Sequence, residues 1–185
     1  MNQKSKDEQT IFKKMTNERD HSKFIIQRFD TYITGANTKG NFLLAMNTFL
    51  VGIIVANYTK IKELITCDFY IYFDIGIIFL TLLSLLAMFF ILKSVYPFIL
   101  SGNSSSDGYH SHIFFNSVAE FKTPEKFRQS FIKQDDLLVE QDMSNQAFYL
   151  AKGLQTKYKN LEIAMKIIYG ELTLIVILLI FITIF

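Results

Sequence analysis

"FYIYFDIGIIFLTLLSLLAMFFIL", Phe69 to Leu92, decides the fold class. The run is apolar on every face for six turns. Hardly any globular helix does that, and a membrane-spanning helix requires it. A bilayer core about 30 Å thick takes about 20 apolar helical residues, and this run is long enough. Working outward, one further apolar run lies on each side. "FLLAMNTFLVGIIVANY", Phe42 to Tyr58, is short and is extended by Asn41 or Thr59. "IAMKIIYGELTLIVILLIFITIF", Ile163 to Phe185, is of full length. The expectation is an all-α membrane protein with three transmembrane helices, over 41–58, 69–92 and 163–185. A buried core helix is the competing reading, stronger for the first run than for the second.

Composition agrees. Half of the 185 residues are hydrophobic and 19% are charged, with 19 Phe and no Trp. That is too apolar for an ordinary soluble domain, and the excess is confined to the three runs. The first 40 residues are charged and polar, with no cleavable signal peptide, so the first span acts as its own insertion signal. Eight Lys and Arg fall in residues 1–40, two (Lys60 and Lys62) in 59–68, and eight in 93–162. Basic loops stay on the cytoplasmic side. The expected topology therefore puts the N-terminus and residues 93–162 inside and the C-terminus at the outer face. Cys67, the single cysteine, falls in the short outer loop. It reads either as an unremarkable interfacial thiol or as a disulfide across a symmetric dimer.

Four regions follow. Residues 1–40 form an amphipathic N-terminal helix and hinge. Ile11, Met15, Ile25, Ile26, Phe29 and Ile33 recur at helical spacing over 8–33, with a break near Asp20 allowed. Gly35 and Gly40 are expected to loosen or bend the helix. Residues 41–92 form a transmembrane hairpin. Residues 93–162 form a cytoplasmic loop and helical region, and 163–185 the third span. Pro97 ends the second helix, and residues 101–112 read as a flexible loop. "HIFFNSVAEF", 112–121, reads as a strand or a lipid-touching loop. Thr123, Pro124 and Glu125 then open a helix as N-cap, first helical residue and dipole partner. From Ala147 apolar residues recur at Leu150, Leu154, Tyr158, Leu161, Met165 and Ile168, in steps of three and four. This narrow coiled-coil-like stripe leads into the third span, and the N-terminal helix is its natural packing partner.

Enzyme signatures are missing: no glycine-rich phosphate loop, metal-ligand cluster or nucleophile elbow appears. The expectation is no enzyme, no cofactor and no metal. His110 and His112 read as solvated loop residues, and Asp135 with Asp136 as a helix start. No basic, aromatic-interleaved surface suits a nucleic acid. Within the spans, Asp74 and Glu171 either snorkel or stay hydrated near the interface, or line a polar seam or pore in an oligomer. Asn41 and Asn47 suit hydrogen bonds to neighbouring helices. Lys39 is a snorkelling anchor or, with Thr38 and nearby amides, a contact for an anionic ligand or another subunit.

Three motifs carry a resemblance. "ANTKGNFLLAMN", 36–47, resembles the A-D-T-K-A-x-x-L-L-x-x-N lead-in to the first membrane helix of the Pycsar transmembrane effector family. "SHIFFNSVAEF", 111–121, resembles its IFFG segment after the second helix. "LAKGLQTKYKNLEIA", 150–164, resembles its L-A-x-x-L-x-x-K-Y-x-x-L-x-x-A helix before the last one. Order and approximate spacing agree over nearly the whole chain. Asn37 stands where the family often has Asp, Gly40 replaces Ala, and Asn116 replaces Gly. The resemblance implies a bacterial antiphage effector, homo-oligomeric in the lipid membrane. It would answer a cyclic pyrimidine mononucleotide, directly or through a separate sensor protein, by impairing the membrane. On that reading Asn37, Thr38, Lys39, Asn41 and Asn47 form a hinge and inter-helix contact, and Lys122, Lys126 and Arg128 are ligand candidates. Leu150, Leu154, Tyr158 and Leu161 form the stripe that holds the inactive arrangement. Two other readings stay open: a constitutive scaffold tethering a cytoplasmic enzyme, and a small channel unrelated to defence.

Overall fold

The structure is a computed structural model that describes residues 3–97 and 111–184, with side chains from residue 17 onward except that of Cys67. Among these residues there is no strand. There are three long helices, α1 (Gln3–Ala56), α3 (Tyr70–Val95) and α6 (Asp136–Ile184). Three short ones accompany them: α2 (Tyr58–Lys62), α4 (Phe115–Ala119) and α5 (Pro124–Ile132). Each long helix holds a segment long and apolar enough to cross a membrane. The chain is an all-α membrane protein with three spans. It divides into two compact units, residues 34–96 with 156–185, and residues 1–33 with 97–155.

The first unit packs the later part of α1, α3 and the later part of α6 in a bundle. One apolar cluster gathers Val51, Phe73, Ile77, Leu80 and Leu178. A second gathers Ala87, Ile91, Ala164 and Ile168. Two glycines set the register. A Cβ on Gly40 would lie 2.6 Å from Val95 Cγ2 and 3.7 Å from Leu161 Cδ2, and one on Gly76 would lie 2.7 Å from Leu178 Cδ2. Gly40 is therefore a point of close approach to α3 and α6. α1 continues as helix through Gly35 and Gly40, from Gln3 to Ala56. A glycine costs about 1 kcal/mol in a helix interior, and close packing offsets that at Gly40.

In the second unit, residues 112–121 do not form a strand, since α4 occupies Phe115–Ala119. Thr123 caps α5 as expected, its Oγ1 accepting from Lys126 N at 3.3 Å. Asp135 Oδ1 accepts from Leu138 N at 2.8 Å and so starts α6. His112 is half-buried rather than solvated. Its Nε2 lies 2.7 Å from Ser130 Oγ and its Nδ1 2.7 Å from Gln134 Nε2. Its ring packs near Phe121, Phe127 and Phe131. Buried Asp142 accepts from Ser111 Oγ at 2.7 Å and His112 N at 2.8 Å, and Gln146 Nε2 donates to Ser111 Oγ at 3.0 Å. His110, residues 101–110 of the expected loop, and the side chains of Ile11, Met15 and Cys67 lie outside the described residues.

The apolar stripe is unevenly covered. Leu161 and Ile168 are buried, Leu150 and Leu154 are half-buried, and Tyr158 is 40% exposed. Besides Leu161, Ala164, Ile168 and Leu178, α6 buries Asp142, Gln146, Lys157, Asn160 and Glu171. Periodicity counts apolar residues, so buried polar ones escape it.

Candidate functional site

Pro97 cannot continue a helix, and it pushes the residue before it to extended backbone. Tyr96 accordingly has φ −49° and ψ 136°. The last carbonyls of α3 are left without intrahelical donors. Lys157, on α6, supplies them. Its Nζ donates to Ser94 O at 2.6 Å, Tyr96 O at 3.0 Å and Val95 O at 3.3 Å, and to Asn37 Oδ1 of α1 at 3.0 Å. Four oxygens share three N–H groups, so one donor is bifurcated. Ser94 Oγ donates back to Lys157 O at 2.9 Å. A cation at a helix C-terminus also answers the negative end of the dipole. Lys157 is 5% exposed, and burial pulls its ammonium below the ordinary lysine value. One buried lysine thus ties together all three long helices.

This junction contains part of the expected hinge. Asn37 accepts from Lys157, and Lys39 Nζ stands 5.9 Å from the Tyr158 ring centroid. Thr38 Oγ1 donates within its own helix to Thr34 O, and Asn41 is exposed. Asn47, a turn and more further along, is buried and donates to Ser84 O at 3.3 Å. Beside Lys39 a groove of about 360 Å³ is lined by Phe42, Leu43, Tyr158, Leu161 and Glu162.

The two acidic residues of the spans differ sharply. Asp74 accepts from Tyr58 Oη at 2.5 Å and from Lys62 Nζ at 2.7 Å. Lys62 Nζ also donates to Tyr58 Oη and lies 5.0 Å from the Tyr70 ring centroid. The Asp74 carboxylate and the Tyr58 hydroxyl hold the Lys62 ammonium above its ordinary value. Glu171 is 2% exposed, and its Oε1 meets no donor. Lys122, Lys126 and Arg128 are exposed around the start of α5. Among the described residues no cluster of His, Cys, Asp and Glu suits a metal ion.

Lys157, Ser94, Ser84, Tyr58 and Lys62 are the site residues that pattern reasoning passed over. The signal for Lys157 was its place in the K-Y pair of the third motif. For Ser94 and Ser84 no local signal exists, since an isolated serine in an apolar run is unremarkable.

The model of the Pycsar effector protein domain matches residues 21–184 of the chain. No curated protein and no solved structure matches it.

Proposed function

Because the chain belongs to the Pycsar effector protein domain family, we propose that it is an antiphage effector of the bacterial inner membrane, held closed until a cyclic nucleotide signal arrives. The N-terminus and residues 93–162 lie in the cytoplasm on this reading, and the C-terminus at the outer face. Homo-oligomers then rearrange and impair the membrane. The observation that carries the reading is the Lys157 junction. A buried ammonium facing only neutral oxygens stabilises a bundle less than an ion pair would, which suits a structure that must come apart on demand. The non-enzymatic character of such an effector agrees with a bundle whose polar groups serve helix contacts.

An anionic nucleotide needs cations or helix N-terminal amides. Two places offer them: Lys122, Lys126 and Arg128 around the start of α5, and Lys39 beside the Tyr158 ring. The test is ion leakage from liposomes containing the purified chain, with and without each cyclic mononucleotide. Leakage with one cyclic pyrimidine mononucleotide alone supports a directly gated effector. Its loss in K122A/K126A/R128A, or instead in K39A, assigns the site. No response to any nucleotide refutes direct gating and leaves a separate sensor protein as the trigger.

A further inference from the structure

Glu171 takes no part in the Lys157 junction or the Asp74 pair. Its level in the bundle follows from the register. Gly76 of α3 meets Leu178 of α6. Ser84 lies eight residues from Gly76, and Glu171 seven from Leu178, about 12 Å and about 10.5 Å at ~1.5 Å per residue. Antiparallel α3 and α6 therefore bring Ser84 and Glu171 to within one turn of a common level. Asn47 joins them through its bond to Ser84 O. All three side chains are buried, and Ser84 Oγ and Glu171 Oε1 lack partners. This polar layer lies between the two apolar clusters.

An isolated carboxylate taken out of water costs several kcal/mol unless a positive charge accompanies it. Residues 40–56, 75–92 and 167–184 contain no basic side chain. Lys157 lies 14 residues back, about 21 Å along the axis, with its donors already engaged. Lys166 pairs at 2.7 Å with Glu162, and both are exposed. Asp74, the other acid of the spans, is answered by Lys62. Among the described residues no group is left to balance Glu171.

We propose that Glu171, Ser84 and Asn47 form a binding site for one small monovalent cation, a proton or an alkali ion, in the middle of the bundle. The oxygens suit a hard cation: a carboxylate, a hydroxyl, and Asn47 Oδ1, left over while Nδ2 bonds Ser84 O. The bundle core closes on both sides of this layer. Toward the Lys157 end it carries Asn160 with Ala87, Ile91, Ala164 and Ile168. On the other side Leu80, Ile77, Phe73, Val51 and Leu178 close it with apolar bulk. Passage of the ion through the bundle, the part of this inference that rests on the proposed function, is then the membrane damage itself.

The test uses the full chain in liposomes, as wild type, Glu171→Gln and Ser84→Ala. Removing an uncompensated charge leaves folding intact or improves it. Infrared spectra and equilibrium binding of radioactive sodium and rubidium distinguish the sources. A protonated-carboxyl band that vanishes in E171Q identifies the proton. About one alkali ion bound per chain, lost in E171Q and weakened in S84A, identifies the alkali ion. An ionised Glu171 with no bound alkali ion overturns the proposal. Under any condition that makes wild-type liposomes leak, E171Q lowers cation flux at least tenfold; equal flux in the two proteins overturns the passage step. A wild type that binds the cation but never leaks refutes direct gating and leaves the site standing.

Discussion

Replacing Asn37 by Asp sets a carboxylate where an amide oxygen now lies 3.0 Å from Lys157 Nζ. Two unit charges at that distance attract by ~5.5 kcal/mol at an effective dielectric constant of about 20. Desolvating the new carboxylate takes back most of this. A hydrogen bond to a charged group contributes about 1.5–3 kcal/mol, against about 0.5–1.5 for a neutral one. The net gain for the closed bundle is therefore ~1–2 kcal/mol. For a chain of this size that raises Tm by ~2–8 °C, and it raises the signal needed for half-maximal leakage by about fivefold to thirtyfold. Purified Asn37→Asp, Asn37→Ala and Lys157→Met, alone and combined, are compared by thermal unfolding in detergent. Asn37→Asp should gain stability only while Lys157 is present.

The pH dependence gives an independent check. Burial lowers the Lys157 value in the folded chain, while the unfolded chain keeps about 10.5. Between the two the unfolded state binds more protons, so the stability of the wild type rises with pH across that window. A carboxylate at position 37 restores the ammonium and flattens the rise. The reasoning is refuted if Asn37→Asp and wild type unfold at the same temperature and both keep the alkaline rise.

Gly40→Leu forces a side chain into the space that Val95 Cγ2 fills. It should cost ~1–3 kcal/mol or more, read as a lower unfolding temperature, while Gly35→Leu, with open space around it, costs far less. Asp142→Ala orphans the Ser111 hydroxyl and the His112 amide. At about 1–3 kcal/mol for each buried group left unsatisfied, residues 111–155 should become sensitive to limited proteolysis while the spans stay protected. Lys62 is held above its ordinary value of 10.5. Its contribution is complete below 10.5 and is lost as pH rises through the raised folded value. Asp74→Asn should abolish that alkaline loss, and a persisting loss would assign it to another group.

The spans were legible because burial in a bilayer leaves a compositional mark: Phe69 to Leu92 needs no partner to be recognised. The caps of α5 and α6 were legible for a similar reason, since Thr123 and Asp135 act within three residues. Contacts at long range were not. Lys157 reaches Asn37 across 120 positions and Ser94 across 63, and no periodicity encodes those pairings. The stripe through Leu150, Leu154 and Tyr158 registers apolar residues only, so it gives no sign that Asp142, Gln146, Lys157 and Asn160 are buried on the same helix. Lys39 and Asn47 stand out in the sequence, but their neighbours, Tyr158 and Ser84, required the fold.

That polar face bears on why the chain is built this way. An inert three-helix anchor could bury Leu at positions 157, 160 and 171 and be the more stable for it, because apolar replacements of buried charges are often neutral or stabilising. Here a single ammonium bonds α1, α3 and α6 at one end, and the middle of the bundle holds a carboxyl oxygen with no partner among the described residues. Hydrogen bonds between membrane helices average only about 0.6 kcal/mol, so the bond from Asn47 to Ser84 adds little cohesion. On the proposed function, buried polar groups of this kind lower the differential binding energy needed to separate the helices. A few kcal/mol from a ligand or partner then suffices to invert a two-state population of closed and open bundles.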